Sequence, residues 1–345
     1  MIELVKLNES KKWDTIVRSF KRYDVYYLSG YVKAFEQYGD GEATLIYYTD
    51  ESTRAINVVM MRDISDIPCF CGQLEKNKFY DIATPYGYGG FLVEGDDVSA
   101  LEKEYTEFVV NHGIVAEFVR FHPILKNYKD VTLLYDEICL GDTIFIDTTD
   151  ETVIWNNFTS KNRNMIRKAQ KSGVKVFWGR DQRIIPIIME IYNATMIRDN
   201  ADDYYFFDES FYQSILNDLK YNAMWFYSMV NDEVAAIAIF MFCNGQMHYH
   251  LSASRKEYQN LAPTNLLLFE AACWASHNGY KTLHLGGGVG CKPDSLYKFK
   301  KAFNRGEDKS FYIGKKIFDK ETYQMLVGLK GNQITNHQFF PEYRG

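Results

Sequence analysis

The stretch AMWFYSMVNDEVAAIAIFMFCNGQMHYHLS, residues 223–252, decides the fold of the second half of the chain. It contains three apolar runs, separated by Asn231-Asp232 and by Asn244-Gly245. Asn-Gly between two such runs is a strong signal for a tight hairpin turn. The stretch therefore predicts three consecutive antiparallel strands, over 223–230, 234–242 and 246–252.

The segments around these strands alternate between helical and strand-like patterns. Pro263 suits the first turn of a helix, which we expect to run to about Ser276 and to be followed by the strand KTLHLGG. Further elements are predicted on both sides: strands at 143–146, 174–178 and around 311, and helices at 152–171, 184–198 and 294–303. The predicted fold class is α/β with mixed sheets (α+β).

The N-terminal half repeats part of this plan. It predicts helices at 13–23, 29–38 and 98–111 and strands at 43–48, 55–61 and 114–121. The same pattern, a helix ended by a glycine and followed by a strand, is predicted for two segments: EFVVNHGIVAEFVRFHP (107–123) and EAACWASHNGYKTLHLGGG (270–288). This indicates an internal duplication, although any two helix–glycine–strand units share such features. Since 345 residues exceed the usual size of one core, we expect two domains, at 1–145 and 146–345.

Composition and charge exclude several classes of protein. With 46% hydrophobic and 24% charged residues, the chain is neither disordered nor fibrous. The apolar run Val234 to Cys243 is too short to span a membrane, and Glu3 interrupts any signal peptide, so a cytoplasmic location is expected. The six scattered cysteines predict reduced thiols and no disulfide framework. A net charge of −6 argues against a surface built wholly for nucleic acid but allows local basic patches.

One such patch is SKNRNMIRKAQKSG (160–173), which has five basic residues and no acid. Arg163 and Arg167 lie four residues apart and therefore share one face of a helix, where their guanidinium groups could hold a phosphate. A solvated helix surface is the alternative interpretation. Because like charges repel and helices usually interleave acids, we favour an anionic ligand.

A second candidate region is HYHLSAS (248–254), where His248 and His250 point to one face of a strand and Tyr249 to the other. A metal site needs a third ligand and none can be assigned, so we expect no metal and interpret the rings as the polar lining of a cleft.

The third region is HLGGGVGCKPDSLYKFKKAFN (284–304). Its glycines permit close backbone approach, and Asp294 or Ser295 caps the following helix. Lys300 lies on a different face of that helix from Lys298 and Lys301. The region lacks the dinucleotide-binding spacing, and the chain contains no G-x-S-x-G, Walker or H-E-x-x-H motif.

Together these stretches resemble the FemABX aminoacyltransferases, which consist of two tandem GNAT-like acyltransferase domains. The resemblance rests on SKNRNMIRKAQKSGV, YNATMIRDNADDYYFF, HYHLSAS, NLAPTNLLLFEA, HLGGG and DSLYKFKKAF. It implies an enzyme that transfers an aminoacyl group from aminoacyl-tRNA to an amine of a UDP-linked or lipid-linked peptidoglycan precursor. It implies no tightly bound cofactor, and contact with a membrane surface is among the expected interactions.

The resemblance also implies roles for individual residues. Lys300 matches the family position of a catalytic lysine. The expected substrate-binding residues are Arg163, Arg167, Arg198, Tyr205, Tyr249, His250, Asn265, His284 and Phe299. His250, His284 and Asp294 are candidates for the general base, but an ester donor is already activated, so a dedicated base could be absent.

Two departures from related patterns bear on the donor. The chain lacks the coiled-coil arm of some family members. Acetyl-CoA enzymes of this fold open the helix after the meander with [RQ]-x-x-G-x-[GA], and here residues 259–264 read QNLAPT. Losing both glycines weakens the acetyl-CoA interpretation without removing it. Two alternatives therefore stay open: an acyl-CoA-dependent N-acyltransferase acting on a surface-polysaccharide sugar or other small amine, and a catalytically silent binding module.

Overall fold

The computed structural model describes residues 1–345 and divides into two compact units. Unit 1 comprises Met1–Leu140 and Phe311–Gly345, and unit 2 comprises Gly141–Ser310. Domains were expected at 1–145 and 146–345, and the division differs mainly in its C-terminal segment, which belongs to unit 1. The physical reason is strand pairing, because that segment completes the sheet of unit 1.

The first part of the chain forms six strands and three helices. In chain order these are β1 (Ile2–Lys6), α1 (Ser10–Ser19), α2 (Ser29–Tyr38), β2 (Glu42–Thr49), β3 (Arg54–Asp63), β4 (Tyr80–Ala83), β5 (Leu92–Glu94), α3 (Val98–Asn111) and β6 (Ile114–Arg120). The helices expected at 29–38 and 98–111 are confirmed. Asp97 caps α3 by accepting a hydrogen bond from the Ala100 amide, and Gly113 follows its end in the left-handed conformation.

The remainder of the chain supplies seven strands and seven helices. They are β7 (Asp136–Asp147), α4 (Glu151–Asn157), α5 (Ser160–Lys171), β8 (Lys175–Gly179), α6 (Ile185–Arg198), α7 (Glu209–Asp218), β9 (Ala223–Val230), β10 (Glu233–Cys243), β11 (Gln246–Ser254), α8 (Pro263–His277), β12 (Thr282–Gly286), α9 (Ser295–Lys301), β13 (Lys309–Ile317) and α10 (Lys320–Lys330). The three-strand meander is confirmed. The single helix predicted for 152–171 is wrong, because Thr159 starts a new helix by capping the Asn162 amide.

The two units contain sheets of the same design. In unit 1 the strand order is β1-β2-β3-β4-β6-β13, with β5 pairing β3, and in unit 2 it is β8-β9-β10-β11-β12-β7. Each sheet has three antiparallel pairs, then one parallel pair, β4 with β6 and β11 with β12, and then a final antiparallel pair. The predicted duplication is therefore visible as equivalent topology.

The last strand of each sheet is distant in sequence from the strand that it pairs with. Residues Ile313–Ile317 of β13 pair with Ala116–Arg120 of β6, and residues Ile144–Asp147 of β7 pair with β12. In chain order β7 follows β6 and β13 follows β12, so each strand could close the sheet that it follows. The two closing strands are exchanged instead.

Two of the buried carboxyl groups of unit 1 have opposite surroundings. Asp81 accepts hydrogen bonds from Arg62 Nε and Arg344 Nε, each at 2.6 Å, and thereby ties the C-terminus to β4. Glu117 on β6 has neutral partners: it accepts from Asn57 Nδ2 and from the Tyr105 hydroxyl, both at 2.9 Å. Burial raises the pKa of Glu117 to about 7, although these hydrogen bonds lower it.

The core of unit 2 lies between its sheet and the helices α4, α5 and α8. Ile166 of α5 and Leu267 of α8 are buried in it beside Phe226 and Phe240 of the meander. This packing fixes α5 and α8 against the sheet and so positions the segments that carry the candidate site.

Candidate active site

The parallel strands of unit 2 part from each other. β11 pairs with β12 only along Gln246–His248, opposite Thr282–His284, although β11 continues to Ser254. A β-bulge lies at His250–Leu251, because Ala238 faces Ser252 while Phe240 faces Tyr249. A bulge bends a strand and re-aims its side chains. The edge of β11 beyond His248 is therefore left without a ladder to β12.

The equivalent gap in unit 1 is closed by the chain itself. After β4 the segment 84–91 runs beside β6, and Gly89 forms a parallel bridge to Phe121. Arg120 Nε donates to the Gly87 carbonyl at 2.9 Å, and Asn127 Nδ2 donates to the carbonyls of Gly89 and Phe91 at 2.8 and 3.0 Å. The parallel pair of unit 1 is thus extended by this segment, whereas the pairing of β11 with β12 stops at His248.

The glycine-rich loop after β12 is held tightly against α9. Asp294 caps α9 by accepting from the Tyr297 amide at 2.8 Å, and its other oxygen accepts from the Val289 amide at 2.9 Å. A side chain at Gly288 would collide with the Lys292 carbonyl and with Asp294. The close approach predicted for these glycines is present, and Asp294 is the capping residue.

Lys300 points from α9 into this loop. Its side chain is buried, and Nζ donates to the Gly287 carbonyl at 2.7 Å. Burial lowers the pKa of the Lys300 ammonium to about 8, while the nearby negative charge of Asp294 works in the opposite direction. Lys301 is bound to Asp308 at 2.5 Å and Lys298 is exposed. Lys300 is thus the lysine of α9 that combines a buried ammonium with the backbone of the loop.

The histidines expected to line a cleft lie where the strands part. His284 on β12 is buried, and its ring centroid is 5.7 Å from that of His248 on β11. Burial lowers the pKa of His250 to about 3, and the neighbouring His248 adds to this effect. His250 is therefore a neutral imidazole at pH 7, which suits a hydrogen-bonding role and makes it a weak general base.

Three other predicted substrate-binding residues pack within unit 2. Tyr249 packs against the core, with its ring 5.5 Å from Phe240, and burial raises its pKa to about 12. Phe299 packs edge-on against Phe303 at 5.5 Å. Asn265, in the first turn of α8, donates to the buried Asn162 Oδ1 at 2.8 Å. These contacts support neighbouring elements, and their expected substrate contacts stay predictions.

The two arginines of the basic helix α5 make different contacts. Arg163 donates to the carbonyls of Phe158 at 2.5 Å and Trp155 at 3.3 Å, and thereby satisfies the end of α4. Arg167 is exposed, with its guanidinium 5.1 Å from the ring centroid of Trp155. An open depression of about 360 Å³ lies beside it, lined by Asn164, Arg167, Lys168, Lys171 and Ser172. It has three cations and no acid, so it suits an anionic ligand.

Arg198 and Tyr205 lie at and beyond the end of α6. Arg198 Nε is 3.3 Å from a carboxylate oxygen of Asp199, and the Tyr205 ring is 5.4 Å from that of Tyr204. Neither residue is shown to join Lys300 or the α5 depression, and their substrate contacts also stay predictions.

The start of α8 follows residues 259–264, the stretch that the resemblance to acetyl-CoA enzymes relates to pyrophosphate binding. Ala262 there is left-handed, with φ of 55°, and its side chain is buried in the core. Pro263 is the first helical residue and has no N–H to donate. Backbone amides and glycines are what such an anion cradle requires. Ala262 and Pro263 therefore weaken the fit to that cofactor.

Sequence reasoning missed the partners that shape the site. The Gly287 carbonyl that receives Lys300, the second hydrogen bond of Asp294 and the bulge at His250–Leu251 depend on tertiary contacts. Only the Asp294 cap had a sequence signal, an acidic residue just before a helical segment.

Comparison with known proteins supports this description of the fold. Residues 156–301 match the family model described as an acetyltransferase (GNAT) domain. The crystal structure of FemX is similar over 94% of this chain and 99% of its own, with a TM-score of 0.65 and 16% identity. No curated protein matches the sequence significantly.

Two further solved structures share the fold over most of both chains. The C-terminal domain of a putative lysylphosphatidylglycerol synthetase from Agrobacterium fabrum has a TM-score of 0.55 and 13% identity, covering 90% of this chain and 92% of its own. A conserved protein of unknown function from Bacteroides thetaiotaomicron has a TM-score of 0.57 and 10% identity, covering 92% and 100%.

Residues 156–301 thus form a GNAT acyltransferase domain, and the sheet of unit 1 repeats the topology of the sheet of unit 2. FemX shares this fold along nearly the whole length of the chain, which agrees with the resemblance to the FemABX enzymes. The predicted fold class, family resemblance and enzyme class are thereby confirmed. No helix has both the length and the apolar character needed to cross a membrane.

Proposed function

We propose that this protein transfers an aminoacyl group from aminoacyl-tRNA to an amine of a peptidoglycan precursor peptide. The observation that carries the choice of donor is the start of α8, where Ala262 and Pro263 occupy the positions at which an acyl-CoA enzyme needs glycines and free amides. The FemX-like fold agrees with this choice, but a fold alone does not name a substrate.

The chemistry of the proposed reaction requires little beyond what unit 2 contains. The neutral amine attacks the ester carbonyl, the bond from that carbon to the ribose oxygen breaks, and an amide forms. The amine proton passes to the leaving ribose oxygen, so no dedicated base is needed. Lys300 donates to the developing oxyanion while also anchoring the Gly287 carbonyl.

The charge of Lys300 is suited to that task. With a pKa of about 8, the ammonium is still mostly protonated at pH 7 and can donate. A buried ammonium interacts with a developing negative charge more strongly than an exposed one, because water screens the pair less. Asp294, which binds two backbone amides, holds the loop in place.

The cationic depression on α5 provides a second element of the proposal. Arg167, Lys168 and Lys171 surround it, and we assign it to the phosphate backbone of the tRNA donor. The acceptor is a UDP-linked or lipid-linked precursor, and the reaction takes place in the cytoplasm, with contact to a membrane surface if the acceptor is lipid-linked. Arg198 and Tyr205 remain candidates for acceptor binding.

A second candidate is an acyl-CoA-dependent N-acyltransferase that acts on a surface-polysaccharide sugar or other small amine. The match of residues 156–301 to an acetyltransferase domain favours it. Ala262 and Pro263 at the start of α8 argue against it, because they replace a glycine and a free backbone amide. A silent binding module is the third, and the buried Lys300 beside an intact glycine loop opposes that reading.

The decisive experiment compares both donors in parallel. Transfer of a labelled amino acid from charged tRNA and of labelled acetyl from acetyl-CoA should be measured on a panel of UDP-linked precursors, lipid-linked precursors and amino sugars. We expect product only with charged tRNA and a precursor peptide, and its loss in the Lys300→Met variant. Product only with acetyl-CoA would overturn the proposal in favour of the second candidate. Absence of product with either donor, while a precursor still binds, would favour the binding module.

A further inference from the structure

Arg120, the last residue of β6, is a half-buried cation whose backbone and side chain are both fixed in place. Its amide donates to Thr84 Oγ1 at 3.1 Å, and its carbonyl accepts from the Gly89 amide at 2.8 Å. Its Nε donates to the Gly87 carbonyl at 2.9 Å, and its guanidinium carbon lies 5.2 Å from the ring centroid of Phe311. All of these partners belong to unit 1. The guanidinium is therefore held through one edge and one face.

The loop that orients Arg120 is itself closely packed. Gly87 has a left-handed φ of 98°, and a side chain there would collide with the ring of Tyr26. Glycine adopts this backbone conformation without a steric penalty. The next residue, Tyr88, packs its ring against that of Phe311 at a centroid distance of 5.5 Å. The carbonyl and the ring that hold Arg120 are thus fixed by contacts of their own.

The outer half of the Arg120 guanidinium has no partner within the protein. Both Nη groups lack an acceptor, and both reach solvent. Arg163, by contrast, donates an Nη group to the carbonyls at the end of α4. Arg62 and Arg344 of unit 1 each pair with a buried carboxylate, whereas Arg120 pairs with none. The charge of Arg120 is therefore available to a ligand.

We propose that Arg120 binds a carboxylate or phosphate group of a ligand through its two Nη groups. The planar guanidinium presents parallel N–H donors, and this geometry matches both oxyanions. Because Nε and one face are already fixed, binding costs less side-chain freedom than it would at a mobile arginine. Water also screens a half-buried ion pair less than an exposed one. This anion site belongs to unit 1, so it is independent of Lys300 and of the choice of donor, which concern unit 2.

Arginine labelling with phenylglyoxal, followed by peptide mass spectrometry, tests the site in the wild-type protein. The reagent modifies the Nη groups, so the labelled peptides report on individual arginines. Two probes represent the two sources of the anion: pyrophosphate for a phosphate and N-acetyl-alanyl-alanine for a peptide carboxylate. The amide of the same dipeptide, which lacks the carboxylate, is the matched control probe.

We expect at least one of the two anions to protect Arg120 from labelling in a saturable manner. Protection by pyrophosphate assigns the site to a phosphate, and protection by the dipeptide but not by its amide assigns it to a carboxylate. Arg18 of α1, an exposed arginine of the same unit, should label at the same rate with and without the probes. The proposal is overturned if neither anion protects Arg120, or if Arg18 is protected to the same extent.

The variant Arg120→Lys separates anion binding from anchoring of the loop, because lysine keeps the charge but not the forked donors. Hydrogen exchange in peptides that cover residues 84–91 is measured with and without the protecting anion. We expect the half-maximal anion concentration to rise about 10- to 100-fold, the loss typical of removing a charged hydrogen bond. Arg18→Lys is the control and should leave that concentration unchanged. If Arg120→Lys lowers the melting temperature but responds at the wild-type anion concentration, Arg120 only anchors the loop and the proposal is overturned.

Discussion

Replacing Glu117 by glutamine should make the protein more stable at alkaline pH. In the folded state the carboxyl is fully buried between Asn57 and Tyr105, and burial raises its pKa to about 7. In the unfolded chain the pKa is the ordinary 4.5. Between these two values the folded state keeps a proton that the unfolded state loses, so wild-type stability falls as the pH rises through this window and is constant above it.

The size of the effect follows from the difference in pKa. Each unit corresponds to 1.36 kcal/mol, so the penalty is about 3 kcal/mol at pH 8 and about 1 kcal/mol at pH 5. Glutamine keeps the shape and can still accept from Asn57, but it does not ionise. The gain of Glu117→Gln over the wild type should therefore be about 2 to 3 kcal/mol larger at pH 8 than at pH 5.

Urea unfolding at the two pH values measures this difference, and hydrogen exchange in peptides of β3 and β6 confirms that unit 1 is the part stabilised. Asp81→Asn is the control: its carboxylate is equally buried but faces two arginines, so its loss should destabilise the protein at both pH values. If the gain of Glu117→Gln is the same at pH 5 and pH 8, the carboxyl is not held neutral in the fold and the reasoning fails.

The remaining predictions concern the proposed reaction. Lys300→Met should lower turnover by about 10²- to 10³-fold with little change in the Michaelis constant, while exposed Lys298→Met stays near wild type; steady-state rates decide, and equal rates would remove Lys300 from the mechanism. Because the pKa of Lys300 is lowered to about 8, turnover should decline above that pH if the ammonium is the active form, and a rise would indicate a neutral base. Arg167→Ala should weaken tRNA binding and reduce the slope of log affinity against log salt concentration by about 1. Arg163→Ala should mainly lower the melting temperature, because Arg163 bonds the end of α4.

Local sequence signals predicted the parts of the fold that local forces create. The turns at Asn231-Asp232 and Asn244-Gly245 have left-handed backbone angles at all four residues, which is why their identities were informative. The break between α4 and α5 was missed, because apolar periodicity continues across Phe158 while a single threonine cap ends it.

Long-range contacts were the part that sequence could not supply. The resemblance indicated Lys300 as the catalytic lysine. Its burial and its hydrogen bond to the Gly287 carbonyl, however, depend on how the glycine-rich loop after β12 folds against α9. Arg163 and Arg167 look equivalent in sequence, yet only the former reaches the carbonyls at the end of α4. Such differences depend on where a neighbouring helix ends, and a pattern of charges does not contain that information.

The exchange of the closing strands also bears on synthesis at the ribosome. Unit 2 is one continuous segment, and all strands of its sheet have emerged once β12 ends at Gly286. Unit 1 is synthesised first, but its sheet is incomplete until β13 emerges. β13 pairs with β6, although most of the chain lies between the two strands in sequence. At roughly 5 to 20 residues per second, the edge of β6 stays open for about 10 to 40 seconds. An unpaired strand edge can associate with other chains. A chaperone would therefore be of most use during the interval in which β6 has been synthesised and β13 has not.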